Sequence, residues 1–173
     1  LLMVETASKY EATETSGISH FLERLCFKGT TTRPTSIDIA RELDSHGAEY
    51  NAFTGQEYTG YYAKCDFKHF DTMLDVVSDI YLHSTFPAEE IEKEKGVITE
   101  EINMYQDLPQ KQVQDVFMEL LYGDTPAGWN IAGTKESVER FKRPDFSKYH
   151  EAQYRSGSTV VVISGNINEA EAI

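Results

Sequence analysis

The 173-residue chain sets 29 acidic side chains against 16 basic ones, a formal net charge of −13 at pH 7. That surplus excludes non-specific nucleic-acid binding, because phosphates are repelled by most of the surface. A hydrophobic content of 40% with 12% aromatics excludes a disordered acidic tail, and the length suits one domain with a real core. No apolar run reaches the roughly 20 residues a membrane span needs. No basic segment followed by an apolar one marks a leader. Cys26 and Cys65 are too few for a disulfide framework and lack ligand spacing. They read as half-buried thiols in a reducing compartment, so a soluble protein leaning to the cytoplasm is expected.

Leu1 to Val4 is an apolar run that reads as a strand entered midway, so the chain is expected to be part of a longer one. No repeat or linker divides residues 1–173, which are expected to form a single domain. Ser8 to Ser16 is polar and reads as a loop. A helix is predicted over Gly17 to Phe27, with Ile18, Phe21, Leu22 and Leu25 on its apolar side and Gly29 beyond its end. Ser36 is placed as the cap of a second helix that runs to His46. Ala48 to Thr54 and Tyr58 to Cys65 have strand composition and hairpin spacing. Asp66 is placed as the cap of a helix in which Phe70, Met73, Leu74, Val77 and Tyr81 recur at helical spacing. Pro87 opens a charged helix that runs to about Tyr105. The next helix, Gln110 to Tyr122, carries Val113, Val116, Phe117, Leu120 and Leu121 as an expected buried stripe. Short helices near Lys135 to Phe141 and after Pro144 precede an apolar strand, Thr159 to Ile163. Grouped strands with long helices between them predict an α+β fold, with a mainly antiparallel sheet and helices on one face.

The first helix carries chemistry. His20 and Glu23 stand three residues apart, and at about 100° per residue positions 20, 23 and 24 share one face. Such a face can present metal ligands at i and i+4 with a carboxylate between them to act on metal-bound water. Taken alone, a His and a Glu at this spacing equally describe a helix-surface pair.

The run Gly17 to Thr30, GISHFLERLCFKGT, resembles the active-site helix of the pitrilysin family of zinc metallopeptidases. That family includes insulin-degrading enzyme and the mitochondrial processing peptidases. Its inverted motif, H-x-x-E-H, is followed 77 positions after the second His by a Glu. The corresponding positions here are His20, Glu23, Arg24 and Glu101, and the interval from 24 to 101 is 77. Val97 to Ile102 is also family-like, and Glu94 matches a second acidic position two turns before Glu101. Asn51 to Thr54, Tyr58 to Tyr62, Trp129 to Thr134 and Val160 to Asn166 are similar to further family segments in the same order.

The resemblance implies a zinc site at His20 and Glu101, and catalytic roles for Glu23 (general base) and Glu94. It implies an edge strand, Asn51, Ala52, Phe53 and Thr54, that adds a peptide substrate to the sheet. It also implies a second homologous half, covalent or as a partner subunit, with this chain a truncated, motif-bearing N-terminal repeat. Its opening strand and final helix are expected to be cut.

One position departs from the pattern. Arg24 stands where the family has its second zinc-binding His, and a guanidinium stays protonated without a lone pair to donate. Cys26 lies about 120° around the helix from the motif face and is no substitute. Zinc is therefore expected to be absent or weakly held, with Arg24 paired to Glu101 or Glu23. Two readings follow: a zinc metalloendopeptidase whose metal site Arg24 impairs, or a non-catalytic partner subunit of a heteromeric peptidase. His46, His69, His83 and His150 read as surface or core histidines. The run Glu89, Glu90, Glu92, Lys93, Glu94 and Lys95 reads as a solvated face apart from Glu94. Tyr61, Tyr62 and Phe53 read as strand packing.

Overall fold

The computed structural model describes residues 1–168 and 170; the end of the chain, where a cut final helix is expected, lies outside them. Four strands, β1 (Leu2–Val4), β2 (Glu49–Thr54), β3 (Thr59–Lys64) and β4 (Thr159–Val161), form one sheet. Its order is β2-β3-β1-β4 and every neighbouring pair is antiparallel. Among the described residues seven helices accompany it: α1 (Ile18–Leu25), α2 (Ser36–Ser45), α3 (Phe70–Leu82), α4 (Ala88–Gln106), α5 (Pro109–Tyr122), α6 (Lys135–Arg140) and α7 (Arg143–Gln153). The fold is α+β, and the hairpin shares its sheet with the distant strand from Thr159.

Register separates the two faces of the sheet. Ala52, Tyr61 and Leu2 form one cross-strand row, and Thr54, Thr59, Val4 and Thr159 the next. These rows face the helices, where Tyr61, Leu2 and Val4 are buried with Phe21, Leu22, Leu25, Ile98 and Phe146. Phe53, Gly60, Met3 and Val160 line the opposite face. Phe53 lies over Gly60, so closely that a Cβ there would strike its ring. Within the helical layer Phe21 and Phe146 meet edge to face at 4.7 Å, which fixes α7 against α1. Each such buried side chain stabilises the fold by about 1.5–3 kcal/mol.

Local chemistry explains where several elements begin. The second helix is capped by Thr35, not Ser36. Thr35 Oγ1 accepts from the Asp38 N–H at 3.2 Å, and the Asp38 carboxylate accepts from the Thr35 N–H at 3.1 Å. This reciprocal pair satisfies two donors where Ser36 would satisfy one. Asp66 caps a 3-10 turn, Phe67–His69, and α3 follows it. Ser8 to Ser16 contains two such turns, Ser8–Tyr10 and Thr13–Thr15.

Burial departs from expectation at four places. Val113, Val116, Phe117, Leu120 and Leu121 are all exposed, because α5 packs along α4 through its other side. Cys26 is fully buried, not half-buried, because its direction from the motif face is into the core. Lys95 is buried in the run read as solvated, its ammonium 2.9 Å from Glu92. Finally, β4 ends at Val161 and its valines are exposed, since it is an edge strand.

Candidate functional site

The motif helix is held by its surroundings more than by its own sequence. Gly17 precedes α1 with φ of 89°, a left-handed conformation, and has no side chain with which to cap. Glu11 does the capping: its carboxylate accepts from the N–H groups of Gly17 at 2.7 Å and Ser19 at 2.9 Å. A Cβ on Gly17 would lie 2.6 Å from the Ala132 carbonyl oxygen. The glycine thus lets the segment 129–134 close over the start of the helix. Ser19 then shares a buried hydrogen bond with the Tyr149 hydroxyl at 2.9 Å.

This anchoring aims His20, Glu23 and Arg24 at α4 and β2. The Arg24 guanidinium donates from Nε to Glu94 at 2.8 Å and from Nη1 to Glu101 Oε2 at 3.2 Å. His20 Nε2 stands 3.7 Å from that same Glu101 oxygen. Lys28 reaches Glu94 from the next turn at 2.6 Å, and the Tyr105 hydroxyl donates to Glu101 Oε1 at 3.1 Å. Residues separated by 77 positions in sequence are therefore in contact, as His20, Arg24 and Glu101 were expected to be. The ion pair uses Glu94 and Glu101 rather than Glu23. Glu23 instead accepts from Thr54 Oγ1 at 2.9 Å.

These contacts set the protonation of each group. Burial raises the Glu23 carboxyl to about 7, against the pull of the Thr54 hydrogen bond. Burial would also raise Glu94, but hydrogen bonds from Lys28 and Arg24 outweigh it and hold that carboxyl below its usual range. Burial lowers the His20 imidazole despite the nearby Glu101. Its Nδ1 is buried with no hydrogen-bond partner among the described residues.

The donor set does not fit zinc. A structural or catalytic site needs three or four lone-pair donors converging on one point. Here one imidazole and one carboxylate converge, and the carboxylate oxygen nearest the imidazole is already held by a fixed cation. Among the described residues no three His, Cys, Asp or Glu side chains are grouped to hold a metal. Arg24 instead supplies the positive charge that the two carboxylates require.

Asn51 to Thr54 lie in β2, which among the described residues forms the edge of the sheet beside this cluster. Its side chains divide by parity. Thr54 and Ala52 point to the helical layer, Thr54 being engaged with Glu23. Asn51 and Phe53 are exposed, and Asn51 Oδ1 accepts from the Ala52 N–H. A cleft of about 330 Å³ between α1, α2 and β2 is lined by Glu23, Arg24, Phe27, Lys28, Tyr50 and Asn51. Lys28, Tyr105 and Glu11 escaped sequence reasoning. Tyr105 follows Glu101 by four residues, the one signal that could have paired them, and Lys28 follows Arg24 by four, which places it on the same helix face. Glu11 sits in a polar segment with no such mark.

The model of the insulinase family, peptidase family M16, matches residues 1–135. The chain belongs to the M16 peptidase family. A zinc protease of Bacillus subtilis, YmxG, is 41% identical over 96% of this chain and 41% of its own length. The beta subunit of the mitochondrial-processing peptidase of Caenorhabditis elegans is 34% identical over 96% of this chain and 36% of its own. This M16 chain thus spans about two fifths of the curated relatives it matches. Among solved structures, a protease from Helicobacter pylori superposes with a TM-score of 0.92 at 23% identity, covering 98% of this chain and 41% of that one. An M16 inactive domain from Pseudomonas fluorescens gives 0.90 at 17% identity, over 99% and 42%. Several M16 relatives carry the name zinc protease, so zinc belongs to the family. No helix among the described residues is long and apolar enough to cross a membrane.

Proposed function

We propose that this chain is the motif-bearing repeat of an M16 protein that takes up extended polypeptide along β2 without hydrolysing it at this site. One observation carries the reading: the Arg24 guanidinium bonds both Glu94 and Glu101 in the position a second imidazole would need. The free edge of β2 offers unpaired backbone groups that an extended peptide satisfies by adding a strand. Asn51 and Phe53, exposed on that edge, meet its side chains, while Ala52 and Thr54 anchor the strand to the layer beneath. Glu23 has the burial and protonation suited to a general base, but without metal-bound water it has no nucleophile to activate. A second homologous half, from the same polypeptide or a partner subunit, completes the peptide-binding site. The unpaired Cys26 and Cys65 agree with a reducing compartment such as the cytoplasm.

A second reading is favoured by the survival of His20, Glu23, Glu94 and Glu101 in mutual register: a hydrolytic site impaired by one substitution. The two are separated with a fluorescent unstructured peptide, incubated with zinc and either the intact protein or its Arg24→His variant. Saturable binding without cleavage by the natural protein is expected. Zinc-dependent cleavage by the natural protein, lost in Glu23→Gln, would overturn the proposal. Cleavage confined to Arg24→His would show that the rest of the hydrolytic apparatus is intact.

A further inference from the structure

Away from the Arg24 cluster, two half-buried imidazoles from different elements meet. His46 follows the last turn of α2, and His69 ends the 3-10 turn that leads into α3. Their ring centres lie 4.5 Å apart, with the planes at 72°. His46 Nδ1 stands 2.7 Å from the Glu42 carbonyl oxygen, which can only accept, so Nδ1 carries the proton and Nε2 keeps its lone pair. A bond of this kind, from one ring nitrogen to a backbone carbonyl, is the usual support of a metal-binding imidazole and fixes its tautomer and direction. The turn beneath His69 is also held, because the Asp66 carboxylate accepts from the Lys68 N–H at 3.2 Å. Neither ring nitrogen of His69 is hydrogen-bonded among the described residues.

We propose that His46 and His69 together bind a divalent ion of tetragonal coordination, nickel(II) or copper(II), at a site independent of the Arg24 cluster. The separation of the rings selects the ion. An imidazole holds a metal about 2.0–2.1 Å from its nitrogen, which puts the ion about 3.2 Å from the ring centre. Two such rings at roughly 90° about the ion have centres about 4.5 Å apart, the distance found here. The tetrahedral angle of zinc would need about 5.2 Å. No third His, Cys, Asp or Glu side chain joins the pair among the described residues, so water fills the remaining positions. Zinc, which takes three or four protein ligands, is disfavoured on that ground also. Imidazole donors in turn disfavour the hard ions magnesium and calcium. The net charge of −13 draws a cation to the surface. A bound ion joins the end of α2 to the start of α3, and α2 supplies Ser36, Ile39 and Ala40 to the cleft beside Arg24. Binding therefore stiffens one wall of that cleft.

The probe is nickel(II), which the free thiols do not reduce, titrated into the intact protein without a histidine tag. One ion is expected to bind, with an affinity at least about tenfold weaker in His46→Ala and in His69→Ala, and retained in His20→Ala. Absence of binding, or binding that survives the loss of either His46 or His69, would overturn the proposal. So would loss of binding in His20→Ala, which assigns the ion to the motif helix. A second measurement needs no substitution and so does not depend on a variant folding. Nickel with water among its ligands is paramagnetic, so in NMR spectra of protein labelled at histidine the His46 and His69 ring signals should broaden together, before those of the other histidines. Broadening of one without the other, or of another histidine first, contradicts the site.

Discussion

Arg24 joins two carboxylates on α4 to the motif helix, and its removal separates electrostatic from metal effects. Breaking a fully buried ion pair costs about 3–5 kcal/mol, but this side chain is 30% exposed and Lys28 still neutralises Glu94. Arg24→Met should therefore destabilise the fold by roughly 1–3 kcal/mol in urea titrations. An unchanged midpoint would mean that the guanidinium is solvated and idle. His150 gives a test of acid sensitivity away from this cluster. It donates from Nε2 to the Tyr81 carbonyl at 2.7 Å and packs on Tyr154 and Phe86. Burial holds its imidazole below the ordinary 6.5, with the hydrogen bond opposing in part. Below that value the unfolded chain takes up the proton more readily than the folded one. The stability contributed by neutral His150 is thus full above 6.5 and is lost as the pH falls. A His150→Gln variant should lose less stability between about pH 7 and 5 than the natural protein; equal losses would show that His150 does not titrate with unfolding.

At the scale of elements, legibility followed the strength of local pattern. Helical periodicity identified α1 and α3, and strand composition identified the β2–β3 hairpin, because those signals arise from side chains meeting one continuous core. Capping at Thr35 depended on a reciprocal bond with Asp38 that composition alone does not distinguish from capping at Ser36. The stripe of α5 was legible as apolar, but periodicity reports that a face seeks cover, not whether this chain supplies it. In the site, the motif and its 77-residue interval located His20, Glu23, Arg24 and Glu101, whereas Glu11 and Lys28 act through contacts that no motif interval encodes. The start of α1 offers the matching experiment. Gly17→Ala forces a left-handed φ on a residue with a Cβ and drives that atom against the Ala132 carbonyl. The expected loss is about 2 kcal/mol or more by chemical denaturation. A neutral substitution would show that the 129–134 segment does not press on the helix.

At the scale of the whole fold, one helical layer on one face of the sheet leaves β2 and β4 as edge strands and the face of α5 exposed among the described residues. The core nevertheless links distant parts of the sequence: Phe146 of α7 packs edge to face on Phe21 of the motif helix and is fully buried. Phe146→Ala should cost about 3–5 kcal/mol and unfold sheet and site in one transition. Separate transitions would divide the chain into independent units.

The proposal that Arg24 stands in the way of zinc binding at His20 and Glu101 rests on its bonds to Glu94 and Glu101. Isothermal titration of zinc into the natural protein, Arg24→His, and Arg24→His combined with His20→Ala tests this most directly. One zinc should bind to Arg24→His alone, with loss of that binding in the double variant and none at this site in the natural protein. Stoichiometric zinc in the natural protein, abolished by His20→Ala, would contradict it.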